Sequence, residues 1–230
     1  MVTMIRAIIF DFDGLILETE EPTYQAWAEI YQSFGFPLPF STWMANVGTT
    51  QGDFDPRSEL ERLVKGSLDW EQIELRRRAI ENQLIETQPA LPGAAQYLQD
   101  ARRLGYKVGI ASNSPIAWVT KYMSRLGLLD CVDRFSTSDF VKHIKPDPEI
   151  YLNALQALEL SAADAIALED SLIGVRAARR AGIFCVAVPN PLIRGVTFAE
   201  ANFQLQSLEE MPLESLLERI NPLKTQEVAA

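Results

Sequence analysis

Short apolar runs recur along this chain, and each ends abruptly on polar residues. The first, Ile5 to Phe10, is rich in Ile and Phe and reads as a strand buried on both faces. It stops at Asp11-Phe12-Asp13-Gly14. From Glu18 to about Ser33, Tyr24, Trp27, Ala28, Ile30 and Tyr31 return near helical spacing, until Gly35, Pro37 and Pro39 break the pattern. Asn46 to Arg57, with its glycines, threonines and Pro56, reads as a loop. A charged run from about Asp69 to Glu86 reads as a helix with a solvated face. Residues 18–87 therefore predict a helical insertion with no strand of its own, set between two pieces of one core, 1–17 and 88–230.

Pro89, Pro92 and Gly93 mark the return to that core, where helices and apolar strands alternate as they do in a parallel α/β sheet. A helix at roughly 93–104 ends at Gly105. Lys107 to Ala111 is a strand closing on Ser112-Asn113-Ser114-Pro115, where Ser114 is expected to cap a helix starting at Pro115. Asp147-Pro148 repeats that start signal. Ala165 to Leu168 is the next buried strand, ending on Glu169-Asp170-Ser171, and the helix after it stops at Gly182. Phe184 to Val188 is one more strand. A last periodic segment spans Leu208 to Ile220, with a tail from Thr225 expected to fray.

At 230 residues the chain can bury one good core and a smaller satellite. Its formal net charge of -10 argues against nucleic acid or an anionic membrane as partner. The same charge means that an anionic substrate must be met by local cations, a metal ion or backbone N–H groups. No apolar run approaches the length of a membrane span, and the short stretch before the first strand predicts no signal peptide. Cys131 and Cys185 lie far apart, which suits two packed free thiols in a reducing cytoplasm. The single histidine, His143, reads as a surface residue of a polar loop. The sequence does not encode an oligomeric state, and a monomer is compatible with it.

Three strands end in polar residues on their C-terminal side: Asp11/Asp13, Ser112/Asn113 and Glu169/Asp170. In open parallel sheets ligands bind outside that edge, so these groups are expected to converge, together with Lys145 of the loop Lys145-Pro146-Asp147-Pro148. Neighbouring carboxylates at the mouth of a buried strand are costly unless a cation joins them. Magnesium suits them, because it takes carboxylates, waters and a substrate phosphate oxygen. The chemistry that wants this set is phosphoryl transfer, which is mostly positioning and charge neutralisation. Asp11 and Asp170 can hold the metal, Lys145 and donors from Ser112 and Asn113 the phosphate. A carboxylate can also act as nucleophile, with a second one protonating the leaving oxygen and later activating water.

Asp11-Phe12-Asp13-Gly14, Ala111-Ser112-Asn113-Ser114, Lys145-Pro146-Asp147-Pro148 and Leu168-Glu169-Asp170-Ser171 resemble, in order, the four motifs of the haloacid dehalogenase superfamily. With Gly174-Val175, Ala177-Ala178 and Ala181-Gly182 they most resemble its β-phosphoglucomutase-like phosphatases and mutases. The resemblance implies a Rossmann-like three-layer core with a parallel sheet and an inserted helical cap. It makes Asp11 the nucleophile and Asp13 the general acid/base, whose main-chain carbonyl also meets Mg²⁺. Ser112 would hold the phosphate, Lys145 would bridge phosphate and nucleophile, Asp170 would ligate the metal, and Glu169 would support it directly or through water. True dehalogenases need neither a second acid nor an acidic metal pair, so Asp13 and Glu169-Asp170 speak against that activity.

In the phosphoglucomutases a cap histidine follows the first motif and a cap arginine follows the glycine of the specificity loop. Here those stretches read Glu18-Thr19-Glu20-Glu21-Pro22-Thr23 and Val47-Gly48-Thr49-Thr50-Gln51-Gly52, with no cation. The expectation is a cytoplasmic Mg²⁺-dependent phosphatase of a small phosphorylated metabolite, such as a sugar phosphate, working through phospho-Asp11. A hexose-phosphate mutase is the alternative, and a phospho-acceptor signalling domain ranks behind both because it has no use for Asp13 or the insertion.

Overall fold

Six strands form one sheet: β1 (Ala7–Phe10), β2 (Lys107–Ser112), β3 (Arg134–Thr137), β4 (Ala165–Glu169), β5 (Phe184–Ala187) and β6 (Phe203–Gln204). All neighbours are parallel, in the order β3-β2-β1-β4-β5-β6. The computed structural model describes residues 5–44, 54–193 and 196–228. β1 sits between β2 and β4, with Phe10 level with Ile110 on one side and Leu168 on the other. This register decides where the chemistry lies, because the residues after Phe10, Ile110 and Leu168 leave the sheet side by side.

Period-two alternation sorts the strand residues into two faces. Ile8, Phe10, Val108, Ile110, Ile166 and Leu168 pack against α5 (Ala94–Arg103), α6 (Ile116–Arg125) and α9 (Leu213–Val228). Ala7, Ile9, Ala111, Ala165, Ala167 and Ala187 pack against α7 (Glu149–Leu158) and α8 (Leu172–Arg180). The small residues on the second face let those helices sit close. The result is the expected α/β fold: a three-layer, Rossmann-like core with a parallel sheet.

Between β1 and α5 the chain forms α1 (Glu20–Ser33), α2 (Phe40–Met44), α3 (Pro56–Val64) and α4 (Trp70–Ile85). These helices build a separate apolar cluster around Trp27, Ile30, Tyr31, Leu60 and Ile73. Asp55 and Asp69 cap α3 and α4 with their side chains, satisfying N–H groups that have no partner within the helix. The chain leaves the core at Leu17 and rejoins it at Ala90, and these two residues form an antiparallel bridge. No described helix is long and apolar enough to cross a membrane.

The fold departs from the sequence pattern at several points. β3 was hidden by its polarity: Ser136 and Thr137 are buried, with the Ser136 hydroxyl donating to Ile150 O at 2.7 Å. Pro39, read as a breaker, stands just before the short α2. Ser114 does not cap α6. That helix begins at Ile116, whose N–H donates to Asp139 Oδ2. α9 starts later than the periodicity implies and runs through Pro222 to Val228. Lys224 holds it there, donating to the carbonyls of Ala163 and Ala165. The stretch Val47–Gly52 lies outside the described residues.

Candidate active site

Asp11 follows β1 directly, and its N–H donates to Leu168 O, so backbone pairing itself sets the carboxylate in place. Its Oδ1 meets Lys145 Nζ at 2.6 Å. The same ammonium donates to Glu169 Oε1 (2.7 Å) and Ala111 O (2.8 Å), so its three protons have three acceptors. Lys145 arrives on a loop that Asn113 clamps from both sides. Lys145 N donates to Asn113 Oδ1 at 2.9 Å, and Asn113 Nδ2 to Lys145 O at 3.4 Å. The Asn113 side chain, expected to serve the phosphate, is thus engaged in placing the lysine.

Glu169, the last residue of β4, is fully buried. Besides Lys145 it accepts from the Tyr151 hydroxyl at 2.5 Å, and the Tyr151 ring lies 5.3 Å from the ammonium. Asp170 is also buried, and no hydrogen bond reaches its carboxylate among the described residues. Ligand atoms of Asp11, Glu169 and Asp170 all lie within 4.8 Å of one another. Asp13 takes another direction. Its carboxylate accepts from Ser114 Oγ (2.6 Å), Trp118 Nε1 (3.0 Å) and Ser112 Oγ (3.1 Å). Of the four residues expected at the metal, three form the carboxylate cluster. The Asp13 side chain does not join it, which leaves only its main-chain carbonyl for that role.

Electrostatics follow from crowding these groups away from water. Burial raises the Asp11 carboxyl to about 6, against the opposing pull of Lys145. Burial, with Asp11 and Glu169 beside it, pushes Asp170 well above the carboxylate range. Burial disfavours the charge on Lys145, yet Asp11 and Glu169 hold its ammonium above the usual range. Three carboxylates share one lysine, so the site carries excess negative charge on oxygen donors only. That donor set, with Asp170 unpartnered, fits a hard divalent cation such as Mg²⁺.

A cavity of about 130 Å³ opens over Asp11, Ser112, Lys145 and Asp170, roughly four water volumes and room for a phosphoryl group. Beyond Asp13 a wider cleft of about 800 Å³ runs between α1, α4 and α6, past Thr23, Arg77, Glu81, Trp118 and Lys121. Glu20 lines both spaces, and burial, helped by Asp13 and Glu18, raises its carboxyl to about 7. Ser114, Trp118, Tyr151 and Glu20 escaped the sequence reading. Trp118 stands in the first turn of α6 and Ser114 just before that helix, and nothing in their spacing marks either as a partner of Asp13.

The sequence profile of the haloacid dehalogenase-like hydrolases matches residues 5–182. The chain is 41% identical to the Bacillus subtilis protein YhcW over 218 residues, covering 95% of this chain and 99% of that one. It is 28% identical to hexitol phosphatase B of Escherichia coli over 93% of its own length and 97% of the relative's. Among solved structures, a variant of CbbY from Rhodobacter sphaeroides in complex with xylulose-(1,5)bisphosphate superposes with a TM-score of 0.75. That match has 29% identity and covers 93% of this chain and 99% of the other.

Proposed function

The chain belongs to the haloacid dehalogenase-like hydrolases and is a phosphomonoesterase, and on that footing we propose that it hydrolyses a small phosphorylated metabolite of the sugar-phosphate class, with Mg²⁺, through a phospho-Asp11 intermediate. The observation that carries this reading is Lys145 joining Asp11 to Glu169 beneath the small cavity, with Asp170 unpartnered beside them. Hexitol phosphatase B and the CbbY complex support the substrate class by the ligands in their names.

In this reading an Asp11 oxygen attacks phosphorus while the ester P–O bond breaks. Asp13 delivers its proton to the departing oxygen. The resulting Asp13 carboxylate then takes a proton from the water that attacks the phospho-aspartate. The second P–O bond breaks, releasing phosphate and restoring Asp11. Lys145 neutralises charge on the phosphoryl oxygens and on Asp11, and the Ser112 and Ser114 hydroxyls are the side-chain donors in reach. Asp11, Asp170 and the Asp13 carbonyl, with Glu169 in support, would hold Mg²⁺, which would supply charge neutralisation at the phosphoryl group. The helical insertion roofs the cleft and limits water at the reacting bond.

A mutase must also grip a second phosphate. Arg77, Arg78 and Lys121 line the cleft, but Arg77 is bound by Glu74 and Glu81, Arg78 stands 3.9 Å from Glu74, and Lys121 is bound by Glu86. That pairing favours hydrolysis.

The test is phosphate release from a panel of phosphate monoesters, with Mg²⁺ and with a chelator. Metal-dependent release that disappears in Asp11→Asn is the expected outcome. Conversion of β-glucose 1-phosphate to glucose 6-phosphate without release would identify a mutase, and a long-lived aspartyl-phosphate a signalling domain.

A further inference from the structure

Asp13 is held at both carboxylate oxygens, but by groups of different kinds. Oδ2 accepts from Ser114 Oγ and Ser112 Oγ, whereas Oδ1 accepts from the indole of Trp118. A hydroxyl is a rotor and can turn to a competing acceptor; an indole N–H points where its ring points and accepts nothing in exchange. Ser112 lines the small cavity, and Ser114 and Trp118 line the adjoining cleft. Either hydroxyl can turn from Oδ2 toward an incoming oxygen, whereas the indole N–H stays where its packed ring holds it.

The Trp118 ring is itself fixed. It meets Tyr122 edge-on, with centroids 4.7 Å apart and planes at 72°. The Tyr122 hydroxyl donates to Asn82 Oδ1 at 3.0 Å. Asn82 belongs to α4 of the helical insertion, whereas Trp118 and Tyr122 belong to α6 of the core. An unbroken line of contacts therefore runs from the insertion to Asp13.

We propose that Trp118 is a positioning residue for the proton-transfer steps. It anchors Oδ1 of Asp13, so that Oδ2 is the oxygen that gives the proton to the leaving group and later takes one from water. Through Tyr122 and Asn82 that geometry depends on where the insertion sits. The inference rests on the phosphatase reading above. Because the indole acts on proton transfer and not on substrate affinity, its loss lowers kcat and leaves KM in place.

Trp118→Phe keeps the ring packing and removes the N–H donor. Wild type and variant are compared in Mg²⁺ on the panel's fastest alkyl phosphate and on p-nitrophenyl phosphate, whose leaving group needs no proton. On the alkyl ester kcat should fall roughly tenfold, the worth of one hydrogen bond to a charged group, with KM within about twofold. On p-nitrophenyl phosphate kcat/KM, which reports only the steps up to transfer onto Asp11, should hold within about twofold, whereas on the alkyl ester it falls with kcat. Equal losses of kcat/KM on both esters, or no loss, would overturn the proposal. Wild-type protein inactive on every ester would instead sink the phosphatase reading, and this inference with it. A second measurement serves if the variant does not fold. The chain has four tryptophans, and in the full chain labelled at the indole nitrogens, Asp13→Asn should shift one N–H resonance of the four. Four unmoved resonances would equally overturn the proposal.

Discussion

Gly174 faces Glu169 with no space between them: a methyl carbon on its Cα would stand 1.9 Å from Glu169 Oε2. The absent side chain is therefore what lets a fully buried carboxylate fit under the first turn of α8. Gly174→Ala must displace that carboxylate or the helix. A loss of about 1–3 kcal/mol is expected, as for other overpacked interiors, together with weaker metal binding. Chemical denaturation and a Mg²⁺ titration of activity check both; unchanged stability would mean that α8 yields freely.

Lys145 is the sole cation bonded to Asp11 and Glu169 among the described residues. Lys145→Met keeps most of the volume but leaves two buried carboxylates facing each other. Removing one partner of a buried ion pair costs about 3–5 kcal/mol. Mg²⁺ should restore part of that loss, since it brings positive charge to the same oxygens. Urea midpoints with and without Mg²⁺ give the answer, and phosphatase turnover should be absent in both conditions.

Glu20 titrates at about 7 in the folded protein, against 4.5 for a free side chain. The folded state therefore binds a proton that the unfolded chain has already released between those values. Its contribution is complete below about pH 4.5 and is lost as pH rises through 7. Glu20→Gln should leave stability at pH 4.5 nearly unchanged and raise it at pH 8. Thermal midpoints at the two pH values, measured in chelator, check the sign. A variant less stable than wild type at pH 8 would show that ionised Glu20 has a partner.

Asp170→Asn removes a buried carboxyl that makes no hydrogen bond and that folding forces to take up a proton. The metal-free protein should become more stable, because a neutral amide is cheaper to bury. Mg²⁺ affinity should drop, so that turnover requires a higher metal concentration or vanishes. Parallel melting curves and a metal titration separate these effects. Loss of stability without metal would argue against Asp170 as a ligand.

Much of this arrangement was legible in the sequence. Strands that stop on acids or hydroxyls are visible as composition breaks, and parallel pairing carries their ends to one edge. Asp11, Ser112, Glu169 and Asp170 follow from that rule alone. Lys145 came from its motif, and the insertion at 18–87 from its lack of strand pattern. What stayed hidden depends on packing between segments distant in sequence. Ser114 has the right chemistry for a helix cap, and only the fold shows that Asp13 claims its hydroxyl. Trp118 and Tyr151 look like core aromatics in the sequence, since no spacing rule connects their polar atoms to Asp13 and Glu169. The Asn113 side-chain amide holds the Lys145 loop, a task that its place at a strand end does not reveal. β3 was missed because its buried residues are Ser136 and Thr137, polar groups satisfied by partners from α7 and the next turn.

The bridge between Leu17 and Ala90, with Leu91 N–H donating to Ile16 O at 2.8 Å, means that the chain departs and returns through one doorway. Both ends of the helical segment are therefore tied to the chain that continues from the strand carrying Asp11, so a shift of those helices pivots about a point a few residues from the reacting carboxylate.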